Sequence, residues 1–472
     1  MRQPGQHSET AVAVPSGAWY GDRALEVTFP PEWEVHLMAP ADAPAMDDAA
    51  IDRALAAPVG TPRLRDLAAG KRSAIIAIDD LTRPTPVHRF LPKLIGELTA
   101  GGIAESRIGL LMGTAAHRPL AADEVARKLG PSVAARFTPI LHDFMGPDIR
   151  RVGWVLGGPV HLNRHFLDAD LRIVVGGVIP HAETGFGGGA KMVVPGLSGH
   201  LTIAHFHGAL PPRPAGQLES TERLDRRAWA EAVARHVGVD AAVCAVVNSR
   251  RELAGLYVGD VVQAHRTAAR QARAIGRTDV PRNLAENTDV IVVNAYPLDT
   301  DPVQMGKSLA VGTKLAAPLM VLINSASDGI MYHGMGMGCG VEWGRLLRNV
   351  PGWLASPRRM GTWLRGMVTA IRSPILAARF CYFTMNGLPY ETFKKRTADL
   401  GPESEARPTE HGEGNPLVWS PTIPRWGFRR KHPHGRLYRE WAPLVAEVGR
   451  RFKKPRVLVF PCAPMQLIEV IG

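Results

Sequence analysis

Cysteine is scarce. The chain has four in 472 residues, Cys244, Cys339, Cys381 and Cys462, and no CxxC pair. That spacing excludes a disulfide scaffold and a zinc-ribbon site, and it fits a reducing cytoplasm. Long apolar runs are missing as well. The most apolar late stretch, 363–385, is interrupted by Arg365, Arg372, Arg379 and Pro374, so no membrane span is expected. The opening MRQPGQHSETAV has no apolar h-region and is not read as a signal peptide. Two phosphate-loop signatures are also absent. The glycine-rich run at 185–191 leads into Gly-Ala-Lys-Met, where a Walker A loop needs GK followed by Ser or Thr, and no clean GxGxxG opens a strand-to-helix unit.

What is present is an ordinary globular composition, 45% hydrophobic and 21% charged, which excludes disorder for most of the chain. The length suggests two or three domains. Net charge is +12 and is unevenly placed: residues 341–460 hold 22 Lys+Arg against 9 Asp+Glu, an excess of 13 that accounts for the whole imbalance. Such a field favours anionic partners, from small acids and phosphates to nucleic acid or a membrane surface. Arg365, Arg372 and Arg379 recur every seven residues, but a solvated face is the plainer reading. No nucleic-acid-binding motif accompanies them, and neither nucleic acid nor membrane is expected as a partner.

Buried-strand runs alternate with helical segments. Strands are expected at 25–29, 74–78, 108–112, 171–175, 241–247, 290–293, 319–323 and 456–460. Helices are expected at 47–57, 87–99 with Pro86 in the first turn, 121–129 and 440–452, and residues 1–20 read as a loose tail. This pattern predicts an α/β protein with mostly parallel sheets. Composition shifts near 277–282 and after Gly340 suggest an N-terminal α/β domain, 1–280, and a C-terminal α/β domain, 281–440. The last helix and strand, 441–472, are expected to return to the first domain's sheet. Residues 398–434 read as an extended loop.

In parallel sheets ligands gather at the carboxyl ends of strands, and the polar clusters fall there. Asp80-Leu81-Thr82-Arg83-Pro84 follows the 74–78 strand, where an Asp and an Arg could grip opposite ends of a small polar ligand, or simply cap the next helix. His117 lies in GTAAHRP after the 108–112 strand, where a histidine can serve as an acid or base or be a plain loop residue. The run VIPHAETGFGGGAK is the richest: Gly187, Gly188 and Gly189 allow close approach of a phosphate, Lys191 adds a charge or a nucleophilic amine, and His181 stands beside them. A plain glycine-rich turn is the alternative. His200, His205 and His207 could include a single metal ligand, but their helical spacing points them apart. Gln304 and Lys307 are three apart, share a helix face near its start and could hold an anion.

Taken in order, the motifs DDLTRPTP, GTAAHRP, PHxxTGFGGGAKxxxPG, a histidine sixteen residues after that lysine, and YPLDTDPVQMGK resemble the nickel-dependent lactate racemase family, whose members include racemases and epimerases of other 2-hydroxy acids. The likeness runs from about Trp19 to Ser325 and is thin from Val341 onward. It implies two α/β domains closing over a nickel-pincer nucleotide, a pyridinium-3,5-bisthiocarboxylic acid mononucleotide that carries nickel and is supplied by separate biosynthetic enzymes. It implies that Lys191 joins this cofactor through a thioamide and that His207 is the protein's nickel ligand. It gives His117 and His181 paired acid/base roles, and Arg83, Gln304 and Lys307 contacts with the substrate. Asp80, Thr82 and the three glycines fall to the cofactor site. The implied reaction removes the Cα hydrogen as hydride, forms a 2-keto acid, and returns the hydride to the other face. The sequence departs from the family at Gly187, Ala190 and Ile179, where a serine, an arginine and a glutamate are usual, and at the second-domain aromatic, for which Trp343, Trp353 and Trp363 are candidates. Two other readings stand beside this one: a nicotinamide-dependent 2-hydroxy-acid dehydrogenase, and an anion- or nucleic-acid-binding protein built on the basic segment.

Overall fold

The computed structural model describes residues 9–117, 120–144, 146–219, 222, 224–300, 304–315, 317–327, 416–423 and 435–472. The basic heptad-spaced arginines, the three candidate tryptophans and most of 398–434 lie outside the described residues. The chain divides into two compact units, whose described parts are 43–273 and, from three separate stretches, 9–42, 274–327 and 416–472.

The 43–273 unit is built on a six-stranded sheet. Its order is β13 (Leu253–Gly259), β12 (Ala241–Val247), β9 (Leu171–Gly177), β4 (Ala74–Asp79), β5 (Ile108–Gly113) and β6 (Ile140–Leu141). Only the edge pair β12–β13 is antiparallel. The runs AIIAID and AAVCAVV are buried at every position, as a parallel sheet covered on both faces requires. The helix Leu91–Ala100 covers it with Leu91, Leu94, Ile95 and Leu98, all buried and worth roughly 1.5–3 kcal/mol each. The expected helix over 87–99 is split. Val87–Arg89 is a 3-10 turn, and Pro92 rather than Pro86 sits in the first α-turn, since a proline there gives up an N–H that has no partner anyway. A hairpin of β7 (Ile149–Val155) and β8 (Gly158–Asn163) and a short one of β10 (Pro180–His181) and β11 (Gly185–Phe186) complete the unit.

The other unit holds an all-parallel sheet of order β18 (Arg436–Tyr438), β17 (Leu417–Trp419), β16 (Leu319–Ile323), β15 (Val290–Asn294), β19 (Arg456–Phe460) and β3 (Glu34–Leu37). Alternation sorts its side chains. Ile291, Val293, Leu322, Leu458 and Phe460 enter one core with Leu284, Val311 and Leu315, and Val290, Val292, Val321, Val457 and Val459 enter another with Leu444 and Val448. A pair of β14 (Arg277–Pro281) and β20 (Leu467–Ile471) is also parallel.

The first 42 residues join this unit, not the stretch that follows them. The 456–460 strand accordingly lies between β15 and β3. The expected loose tail is in part a strand, β1 (Thr10–Ser16), antiparallel to β2 (Arg23–Phe29), with Val12 and Val14 in the second core. Pro15 hides it in the sequence but is tolerated in a two-stranded ribbon, where an N–H can go unpaired.

Candidate active site

β9, β4 and β5 are adjacent and parallel, so their carboxyl ends open on one edge. Three loops emerge there, carrying Asp79–Arg83, Thr114–His117 and Val178–Lys191.

Asp80 is buried just beyond β4. Its Oδ2 is 2.7 Å from His117 Nδ1, while Oδ1 accepts the Thr82 backbone N–H at 3.0 Å and the Thr82 hydroxyl. Arg83 donates to the Thr82 hydroxyl at 2.9 Å and to the Thr82 carbonyl at 3.1 Å. Burial alone would raise the Asp80 carboxyl, but His117, Arg83 and Thr82 around it hold it well below the usual carboxylate range. His117 is therefore oriented by a carboxylate at Nδ1.

Beneath this turn Lys128, fully buried, places Nζ 2.6 Å from Asp79 Oδ1 and donates to the carbonyls of Asp80 at 3.0 Å and Arg83 at 3.2 Å. Asp79 Oδ2 accepts from the Thr85 hydroxyl at 2.6 Å and the Gly177 N–H at 2.8 Å. Asp79 thus ties β4 to β9 through the Gly177 N–H, and Lys128 clamps the Asp80–Arg83 turn. Burial lowers the Lys128 ammonium, and Asp79 opposes that shift.

The glycine run forms β11 and a 3-10 turn, Gly189–Met192, that carries Lys191. Gly188 and Gly189 have φ of +69° and +58°. A Cβ at Gly188 would meet Gly177 O at 3.0 Å and Val178 Cγ2 at 2.8 Å, so this turn needs glycine. Lys191 is buried, with Nζ 2.8 Å from His181 Nε2, and His181 Nδ1 accepts the Glu183 backbone N–H at 3.2 Å. The loop carbonyls turn the other way. Arg227, fully buried, donates to the carbonyls of Gly188 at 3.0 Å and of Phe186, and His265 Nε2 lies 2.9 Å from Gly187 O. Burial draws the Arg227 guanidinium down to about 10.

His207 lies near the end of the helix His200–Gly208, with Nδ1 3.1 Å from Glu183 Oε2. Glu183 Oε1 is 3.1 Å from Arg226, which also donates to the His207 and Leu210 carbonyls. Burial would raise Glu183, but His207, Lys191 and Arg226 hold it well below the usual range. His205 points elsewhere, its ring centroid 5.0 Å from that of Trp229. Lys191, His181, Glu183 and His207 therefore form one connected cluster that excludes His205.

Gln304 and Lys307 belong to the other unit. They occupy a 3-10 turn ahead of the helix Leu309–Leu315, and Lys307 Nζ donates to Gln304 Oε1 at 2.6 Å. In the same motif Asp299 is buried and accepts the N–H groups of Gly17 at 2.8 Å and Ala18 at 3.1 Å.

Sequence reasoning missed Lys128, Arg227 and Glu183. The first two had a signal. Lys128 lies three residues after Val125, and Arg227 three before Ala230, on the apolar stripes of their helices. A charge on such a stripe is either an error of phase or a buried partner. Glu183 was in view, but no spacing rule links it to His207.

Histidines and a buried lysine gathered on strand-end loops of a doubly covered parallel sheet define an α/β enzyme. Residues 20–216 match the family described as Lactate racemase N-terminal domain. The lactate racemases of Thermoanaerobacterium thermosaccharolyticum and Lactiplantibacillus plantarum are each 26% identical over 294 residues, covering 61% and 60% of this chain and 67% and 66% of those proteins. The lactate racemase apoprotein structure from T. thermosaccharolyticum superposes with a TM-score of 0.67 at 19% identity, over 98% of this chain and all of that one. A Thermotoga maritima crystal structure superposes with a TM-score of 0.55 at 15% identity, over 91% of this chain. The chain is thus similar to lactate racemases in sequence over 294 residues and in fold over nearly its whole length.

Proposed function

We propose that this protein racemises or epimerises a 2-hydroxy acid of the lactate class, using a nickel-pincer nucleotide supplied by separate biosynthetic enzymes. The observation that carries the reading is the single cluster joining Lys191 to His207, beside a histidine already paired with a buried carboxylate. The residues fit such a group. Gly188 and Gly189 let the loop turn tightly against Gly177, Val178 and His265, and that turn presents Lys191, a buried amine, to His181. Among the described residues no three His, Cys, Asp or Glu side chains converge as a metal cage, so a metal at His207 would bring most of its own ligands. A cofactor with sulfur and carbon donors does that.

When bound, the cofactor supplies a reversible acceptor for hydride. The chain supplies the rest. Arg83 offers a guanidinium to the substrate carboxylate. His117 Nε2 takes the hydroxyl proton while Asp80 stabilises the imidazolium that forms. His181 performs the same task for the opposite enantiomer. Lys191 Nζ lies 2.8 Å from its Nε2 in this structure. The resemblance gives Gln304 and Lys307 a substrate-binding role.

The test is co-production with the cofactor-making enzymes, intact-protein and peptide mass spectrometry, nickel analysis, and chiral chromatography of L- and D-2-hydroxy acids. An adduct on Lys191, about one nickel per chain and interconversion of enantiomers are expected. Racemase activity undiminished in nickel-free protein would refute the proposal.

A further inference from the structure

In the all-parallel sheet the strand order reverses between β15 and β19: β16, β17 and β18 follow β15 to one side, while β19 and β3 lie on the other. The carboxyl ends at such a reversal leave the crevice in which doubly wound sheets hold ligands. Here the chain places its own β1–β2 turn there. Asn294, the last residue of β15, donates to the Pro15 carbonyl in β1 at 2.6 Å and to the Pro461 carbonyl just past β19 at 2.7 Å. The Tyr296 hydroxyl donates to Asp22 at 3.0 Å. Asp299, fully buried, holds the middle of the turn. Its Oδ2 accepts the Gly17 N–H at 2.8 Å and the Ser325 hydroxyl at 2.5 Å, and its Oδ1 accepts the Ala18 N–H at 3.1 Å. Two successive N–H groups converging on one carboxylate form the concavity with which turns bind anions.

The turn is strained. Gly17, Trp19, Gly21 and Asp22 have φ of +76°, +68°, +113° and +37°. Glycine adopts such angles freely, but a tryptophan stays there only where its surroundings leave no alternative. Asn294, Tyr296 and Asp299 supply that constraint, and they stand at the head of the segment that runs on to Gln304 and Lys307. We infer that Asp299 is a positioning residue, which latches the 17–22 turn into the crevice of this sheet and thereby fixes the start of the segment that presents Gln304 and Lys307. The inference rests on the reading of those two residues as substrate contacts. Asparagine cannot take over the role. It has one acceptor oxygen and one NH2, so in either orientation the NH2 faces the N–H of Gly17 or of Ala18, donor against donor.

The test compares the full-length parent protein with Asp299→Asn by hydrogen exchange and then, in the cofactor-loaded protein, by racemisation kinetics. Exchange over 10–22 should be roughly 10- to 100-fold faster in the variant, because charge-assisted bonds to the turn are lost, while 290–294 and 319–323 keep the parent rate. KM for the 2-hydroxy acid should rise by about 10-fold with kcat within about threefold, the pattern of a binding contact weakened equally in ground and transition states. A loss of stability alone would reduce the amount of active enzyme, and so the apparent kcat, and leave KM where it was. Tyr296→Phe removes the hydroxyl that holds Asp22 and should shift exchange and KM the same way by about threefold. Unchanged exchange over 10–22 in both variants, or a lower kcat with KM unchanged, overturns the inference. If Asp299→Asn does not fold, Tyr296→Phe decides by the same two measurements. If the parent protein racemises no 2-hydroxy acid, the proposed function fails, and hydrogen exchange still decides whether Asp299 holds the turn.

Discussion

Asp80→Asn isolates the most constrained hydrogen bond in the site. The native carboxylate accepts from Thr82 twice at Oδ1 and faces His117 Nδ1 at 2.7 Å with Oδ2. The two Thr82 donors dictate how an amide must sit: its oxygen takes the Oδ1 position, which turns its NH2 toward His117. His117 Nδ1 must then accept, and the ring proton moves to Nε2, the nitrogen needed as a base. Loss of the charge-assisted bond alone removes about 1.5–3 kcal/mol from the imidazolium formed during proton transfer, a factor of roughly 10 to 150. The wrong tautomer adds to this, so we expect a fall of at least about 100-fold in kcat/KM for both directions of racemisation. Chiral chromatography gives the rates, and ¹⁵N NMR of His117 gives the tautomer. A variant within about threefold of the parent enzyme, or one whose His117 retains Nδ1–H, would refute this account of His117.

Lys128→Met should destabilise the 43–273 unit by about 3–5 kcal/mol, because it leaves the Asp79 charge buried and unpaired. Hydrogen exchange over 74–85 and 171–177 reads it, Asp79→Asn with Lys128→Met should recover part of the loss, and a change below about 1 kcal/mol would contradict the clamp. His142 is buried, its Nε2 3.1 Å from the Ser198 carbonyl, and burial lowers its pKa to about 4. Its contribution is therefore complete above about pH 6.5 and disappears as pH falls toward 4, a loss of about 3 kcal/mol that His142→Gln should abolish in exchange measurements across that window. Gly188→Ala must place a Cβ at φ +69° against the Gly177 carbonyl, so faster exchange over 185–192 and loss of the Lys191 adduct are expected, and normal loading would argue against the glycine requirement. Lys191→Ala should abolish the adduct while leaving the thermal midpoint within a few degrees.

Period and spacing made much of the fold legible. The runs AIIAID, AAVCAVV and VIVVN read as buried strands because both faces are covered, and the structure places them in the two sheet interiors. What local pattern could not show was partnership over long separations. Nothing in Glu34–Leu37 announces that it pairs with Arg456–Phe460, and Pro15 masked the alternation of Val12 and Val14. The candidate residues were legible as types at strand ends. The charges that hold them were less so, since Lys128 and Arg227 earn their burial from partners on other elements, Asp79 and the Phe186 and Gly188 carbonyls.

The interleaving of the two units has a consequence for synthesis. Residues 43–273, which carry all three loops of the candidate site, are continuous in the chain and can collapse while the ribosome is still at work. The opening strands cannot do the same. β3 waits for a neighbour more than 400 residues downstream, so its exposed edge must survive translation of nearly the whole polypeptide. Truncation from the carboxyl terminus should therefore yield a nascent chain with a finished catalytic scaffold and an orphaned amino-terminal ribbon, the part a chaperone would have most reason to hold.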